Sequence, residues 1–262
     1  MTGLEEIARD LRAEQDALDS VLADLSEEQW RLATPSPGWT VADQIGHLTY
    51  FDGAAAVAIS DPAAFATSRE QLVRAGASLD ELTLRRGTPP GDLLAGWRAN
   101  RRGLTGAAAT LSDGQRVDWY GPSMSAKSFL TARLMECWAH GQDVVDAVGA
   151  HRPATDRLRH IAQLGVITRG WSYANRGLPV PEDEVRVELA APSGTTWAWG
   201  PDAAAGSVRG TALDFCLVVT QRRHVDDTGL EVTGDSARDW LEKAQAFAGA
   251  PTDGPRPGER AS

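Results

Sequence analysis

The spacing of apolar residues is helical throughout the first half of this 262-residue chain and mixed in the second, and that change limits the available folds more than any other feature. In the first half the period is helical. Leu4, Ile7, Leu11, Leu18, Leu22 and Leu25 recur at helical intervals, one stripe along an amphipathic helix. The stretch "ATPSPGW" breaks that helix, and Thr40, with Asp43 three residues on, reads as the cap of a second helix over about 41–59. This helix carries two lines of residues, Val41, Ile45, Leu48, Ala55 and Ile59 on one and Gln44, His47, Phe51, Ala54 and Ala58 on the other. A helix lined on two sides is expected among several others. Residues 62–87, rich in alanine and arginine, predict partial helix. Thr88 with Pro89 and Pro90 starts a third long helix through Leu93, Leu94, Trp97 and Leu104. "SDGQRVDWYGPSM" is a turn-rich connection with room for a short strand, and a further helix runs from about Ala126 to Val148, closed by Gly149.

Beyond residue 150 the pattern changes. A helix of about 20 residues is expected up to Gly177, and then "EVRVELA" alternates Val185, Val187 and Leu189 with charged residues, the period of a half-buried strand. "TTWAWG", "SVRG" and "GLEVTG" are further strand candidates, while the apolar run 211–219 fits a strand or a helix equally. Ser236 with Asp239 is placed to cap a last helix through Trp240, Leu241, Ala244 and Phe247. The expected architecture is an all-helical domain over 1–150, a smaller α+β domain over 151–250 and a disordered tail over 251–262.

A formal net charge of -10, with no dense Lys/Arg cluster, argues against nucleic acid as a partner. No run of about 18 apolar residues is present to span a membrane. The charged first 25 residues do not resemble a signal peptide, so a cytoplasmic location is expected. The two cysteines, Cys137 and Cys216, are too far apart for a paired zinc or redox motif.

The chemistry gathers on the helix over 126–148. Glu136 and His140 stand at i and i+4 and so point the same way from adjacent turns. A carboxylate and an imidazole so placed can both reach one cation at about 2.0–2.2 Å, and a third ligand from another helix would leave one position open, as in catalytic zinc sites. His47, mid-helix on its small-residue line, is the third candidate. The same pair also suits a solvated face on which Arg133 pairs with Glu136. Asp143, three residues past His140, could orient an imidazole from behind. Cys137 falls on the packing side of its helix, and no convincing protein nucleophile is present.

The stretches "PSPGWTVADQIGHL" and "GPSMSAKSFLTARLMECWAHGQDVVDAVG" resemble the mycothiol-dependent maleylpyruvate isomerase family, part of the DinB-like metal-binding superfamily. The resemblance covers roughly residues 1–150. It implies a DinB-like four-helix bundle with zinc held by His47, Glu136 and His140 plus water, and mycothiol as cosubstrate. The second half resembles, more loosely, that family's sterol-carrier-like α+β domain. There an apolar run leads into Trp-Gly-Arg, whose arginine binds substrate carboxylate; here "DFCLVVTQRRHV" puts Arg222 at the matching place, with Thr220 and Gln221 instead of Trp-Gly, and Arg223 is an equal candidate. The implied activity is activation of a low-molecular-weight thiol for addition to an electrophilic small molecule, as an isomerase or S-transferase. A metal-dependent hydrolase using activated water, and a ligand-binding protein with a structural metal, are the alternatives.

Overall fold

The computed structural model describes residues 3–75 and 87–260 and is mostly helical with a small sheet. The part of the expected 62–87 segment that falls on 76–86 lies outside the described residues. The chain separates into two compact units, Met1–Arg152 and Pro153–Ser262.

In the first unit, α1 (Gly3–Ala23) buries Leu4, Ile7, Leu11, Leu18 and Leu22, the stripe read from the sequence except for Leu25, which lies past the helix end. A type II turn follows, in which Trp39 N–H donates to Ser36 O at 3.1 Å and Gly38, at φ +79°, supplies the positive dihedral the turn requires. Helix α2 (Val41–Ser60) starts at Thr40 with the reciprocal capping box: Thr40 Oγ1 accepts from Asp43 N–H, and Asp43 accepts from Thr40 N–H. Helix α3 covers Pro62–Ala75. Helix α4 (Pro90–Ala108) begins one residue later than expected, with Pro89 rather than Thr88 at its N-cap and no side-chain cap bond. A two-residue hairpin, β1 (Arg116–Val117) and β2 (Met124–Ser125), leads into α5 (Ala126–Val148), which Gly149 ends in a left-handed conformation. Helix α2 packs against both α4 and α5, and α1 packs against α5 and α4. Trp97, Leu18, Ile45, Leu48, Leu104, Leu130 and Leu134 fill the space between them.

The second unit departs more from the sequence reading. The single helix expected before Gly177 is two, α6 (Leu158–Ile167) and α7 (Arg169–Ala174), interrupted at Thr168. The Thr168 hydroxyl donates to Leu164 O at 2.8 Å, the local side-chain bond by which threonine competes with a continuous helix. Four strands form one sheet in the order β4 (Thr196–Trp199), β3 (Val185–Ala190), β5 (Gly206–Thr211), β6 (Glu231–Thr233). The β3–β5 pair is parallel and the others antiparallel, and Val185, Val187 and Leu189 are the buried residues of β3. The ambiguous run is helix α8 (Ala212–Val219), begun by Thr211, whose hydroxyl accepts from Asp214 N–H at 3.0 Å. It lies against α6 at Gly165, where an added Cβ would stand 2.8 Å from Val219 Cγ2. The last helix, α9 (Asp235–Lys243), starts from Gly234 without a side-chain cap, because Ser236 Oγ instead accepts from Arg169. Residues 251–260, expected to be disordered, are irregular but tied down. Thr252 Oγ1 donates to Gln221 Oε1, and Gly258 N–H donates to the Asp227 carboxylate. Their turn-rich composition removes regular structure without removing partners.

Candidate metal centre

Helices α2 and α5 bring His47, Glu136 and His140 to one place. Glu136 Oε2 stands 3.1 Å from His140 Nε2 and 3.5 Å from His47 Nε2, and the two imidazole centroids are 4.2 Å apart. Ligands about 2.0–2.2 Å from one ion in a tetrahedron lie roughly 3.3–3.6 Å from each other, so these spacings match a shared zinc-sized cation. The side chains are 13%, 23% and 12% exposed for His47, Glu136 and His140, so the cluster is largely but not wholly buried.

The charge states suit a cation as well. Burial, aided by the neighbouring His140, drops His47 to a pKa of about 4, so its ring is neutral at pH 7 and offers a lone pair. Burial pushes the Glu136 carboxyl up, but hydrogen bonds from His140 and His47 outweigh it and hold the group well below the usual range, as a carboxylate. Two imidazoles, that of His47 neutral, and one carboxylate are a donor set proper to a divalent metal. Nδ1 of His47 is buried and has no hydrogen-bond partner among the described residues.

Arg133 does not pair with Glu136. Its Nη2 donates at 3.0 Å to Asp52 Oδ1, and Asp52 also accepts from Gln15 Nε2 and Trp97 Nε1. The arginine is thereby drawn to α2, and Glu136 is left to the histidines. Asp143 does not take a nitrogen of His140 from behind, because His140 Nδ1 faces Gln44 Oε1 at 2.5 Å; Asp143 accepts instead from Ser36 Oγ at 3.0 Å. Gln44 was visible in the sequence only as a neighbour on the His47 line, and no spacing rule marks it as a partner of a residue 96 positions away. Trp39, delivered by the type II turn, stacks on His140 at 5.8 Å and 15° and meets His47 at 5.3 Å. On the other side Phe51 lies 4.5 Å from His47 and continues into Trp119 and Tyr120. The centre is therefore walled by aromatic rings, which limit water around it.

Neither cysteine supplies a nucleophile. Both are buried, and burial pushes both thiols far up. Arg222 and Arg223 belong to the second unit, just past α8. Gln221 takes a positive φ of 59° there, and the backbone N–H groups of both arginines donate to Leu217 O. Arg222 Nη1 donates to Thr220 O at 2.6 Å and Arg223 Nη1 to Arg222 O at 2.8 Å.

Residues 11–145 match the family model described as the mycothiol maleylpyruvate isomerase N-terminal domain, and residues 181–232 match one described as wyosine base formation. Uncharacterized proteins from two strains of Mycobacterium tuberculosis are each 47% identical to the chain over 247 residues, covering 94% of it and 96% of the relative. Crystal structures of the mycothiol-dependent maleylpyruvate isomerase and of a histidine-to-alanine mutant of it superpose with a TM-score of 0.56 at 18% and 17% identity. Each covers 95% of this chain and 96% of the crystallised one. At that identity the likeness is one of fold.

Proposed function

The chain belongs to the mycothiol maleylpyruvate isomerase family, and from that premise we propose that it activates a low-molecular-weight thiol, mycothiol, for addition to an electrophilic small molecule. One observation carries the reading. Three metal-type donors converge at a partly open, aromatic-walled place in a chain whose own two thiols are buried and protonated. We assign zinc to His47, Glu136 and His140 within a DinB-like four-helix bundle over 1–150, and a sterol-carrier-like role to the α+β domain over 151–250. Zinc bound there supplies Lewis acidity that makes a thiol a thiolate at neutral pH.

The chain's own residues do the rest. The aromatic wall of Trp39 and Phe51 orients an unsaturated substrate and limits water near it. Either Arg222 or Arg223 serves as the carboxylate-binding cation, since a guanidinium can hold a carboxylate through two parallel hydrogen bonds. The reaction is addition of the thiol sulfur to an electron-poor double bond. Rotation about the resulting single bond and loss of the thiol make an isomerase; protonation of the carbanion, with the adduct retained, makes an S-transferase.

The test follows consumption of maleylpyruvate and of a simple electron-poor alkene, with and without mycothiol. Turnover is expected only with thiol, and only with the wild-type triad. Activity indifferent to thiol would favour metal-activated water, and a hydrolytic reaction, over thiol addition. Loss of one charge-assisted contact in Arg222→Ala or Arg223→Ala costs about 1.5–3 kcal/mol, roughly ten- to a hundredfold in kcat/KM.

A further inference from the structure

We infer that Gln44 is a positioning residue for the metal centre: its side-chain carbonyl, aimed by Thr34, keeps the His140 proton on Nδ1 and so leaves Nε2, on the side of Glu136 and His47, for the metal. The inference rests on the metal reading above and adds a residue to it. One proton sets the orientation of the chain of hydrogen bonds. The Thr34 hydroxyl donates to Trp39 O at 3.0 Å, so toward Gln44, 2.9 Å away, it can only accept. The amide nitrogen of Gln44 therefore faces Thr34, and its oxygen faces His140 Nδ1. An amide oxygen cannot donate, so the hydrogen of that bond belongs to Nδ1. With Nδ1 holding this proton, Nε2, the nitrogen in hydrogen-bond contact with Glu136 Oε2 at 3.1 Å, is the one whose lone pair a metal would take.

The relay is interior along its length. Gln44 is fully buried, and Thr34 is held by its own N–H to Trp39 O at 2.8 Å. Trp39 closes the circuit, because the turn that supplies the acceptor carbonyl also lays the indole against His140. The opposite amide orientation would give Nδ1 a donor, move the imidazole proton to Nε2 and close the metal face. The two histidines are unequal in this respect: the Nδ1 of His47 has no such partner among the described residues, and its ring is held by packing against Trp39 and Phe51.

The experiment uses full-length metal-free protein at pH 8, with Zn2+ titrated against a competing chelator and Co2+ as a spectroscopic probe. Gln44→Leu is expected to weaken Zn2+ binding about ten- to a hundredfold, the usual effect of losing the partner of a ligating histidine. Gln44→Glu, which keeps an acceptor in place, should hold wild-type affinity or exceed it, with an unchanged Co2+ spectrum. Thr34→Val frees the amide to turn and should weaken binding less than Gln44→Leu. In nitrogen-15 spectra of the Zn2+-loaded wild type, His140 should carry its proton on Nδ1. A Zn2+-loaded His140 with no proton on Nδ1, or a folded Gln44→Leu that binds Zn2+ like wild type, overturns the assignment, as does a Gln44→Glu no better than Gln44→Leu. If Gln44→Leu fails to fold, Thr34→Val and the wild-type spectrum decide. If the wild type binds no Zn2+, it is the metal reading that falls, and the presence or absence of a proton on His140 Nδ1 still decides the role of Gln44.

Discussion

At the scale of single residues, the centre depends on groups whose charge is set by burial. His47, with its pKa lowered to about 4, is neutral in the folded chain and takes up a proton more readily once unfolded. The unfolded state therefore binds more protons between the ordinary histidine value, about 6.5, and about 4, so stability falls as pH falls through that window. Glu136, held below its usual range, also loses its stabilising contribution on acidification, at lower pH. Urea midpoints of the metal-free protein should drop from pH 7 to 4, and His47→Asn should flatten the upper part of that profile. His47→Ala or His140→Ala is expected to abolish the near one-to-one zinc content that elemental analysis should find in wild type. Beside the centre, Arg133 and Asp52 form an ion pair with side chains only 4% and 1% exposed. Burial pushes the Asp52 carboxyl up, against the opposing pull of Arg133. Asp52→Ala strands a buried cation and should cost about 3–5 kcal/mol in equilibrium unfolding. A cost below 1 kcal/mol would show that the arginine finds another partner.

Among the elements, close approaches matter more than propensity. α6 and α8 meet at Gly165, where a methyl group would press on both γ-carbons of Val219 at 2.8 and 2.9 Å. Val219 is β-branched, fully buried and unable to swing aside. Gly165→Ala should therefore lose about 1–3 kcal/mol through overpacking, although alanine is the better helix former. The sign of the change in denaturation midpoint tests this, since propensity alone would raise it. Helix α2 carries both Gln44 and His47 and depends on the Thr40 cap for its first turn. Thr40→Ala should cost about 1 kcal/mol. Its N-terminal turn also starts from the strand-like pairing of Ala33 with Thr40, so the same change should loosen the turn that supplies Trp39.

Over the whole molecule, the chain's two compact units each carry a core, and the three metal donors all belong to the first. A cation that binds only the folded first unit adds stability by mass action, about 2.7 kcal/mol at a hundred times its Kd. Calorimetry should show zinc raising the transition of Met1–Arg152, with little change in that of Pro153–Ser262. A shift confined to the second unit would contradict the assignment of the ligands. Among the described residues, no helix is long and apolar enough to cross a membrane.

What the sequence by itself determined is local. The stripe of α1, the capping box of α2, the glycine end of α5 and the alternation in β3 follow from periods of 3.6 and 2 and from turn chemistry, all decided within a few residues. The i, i+4 relation of Glu136 and His140 is of this kind, while the place of His47 beside them rested on resemblance to a family. Tertiary packing decided the rest. The apolar run 211–219 became a helix because Thr211 caps it and α6 receives it. Arg133 went to Asp52, 81 positions away, rather than to Glu136 one turn along its own helix. Gln44, Thr34 and Trp39 met His140 only once α2 and α5 were side by side. A hydrogen bond reaches about 3 Å, so which groups share one across a hundred residues depends on how helices pack, and spacing along a chain does not record that.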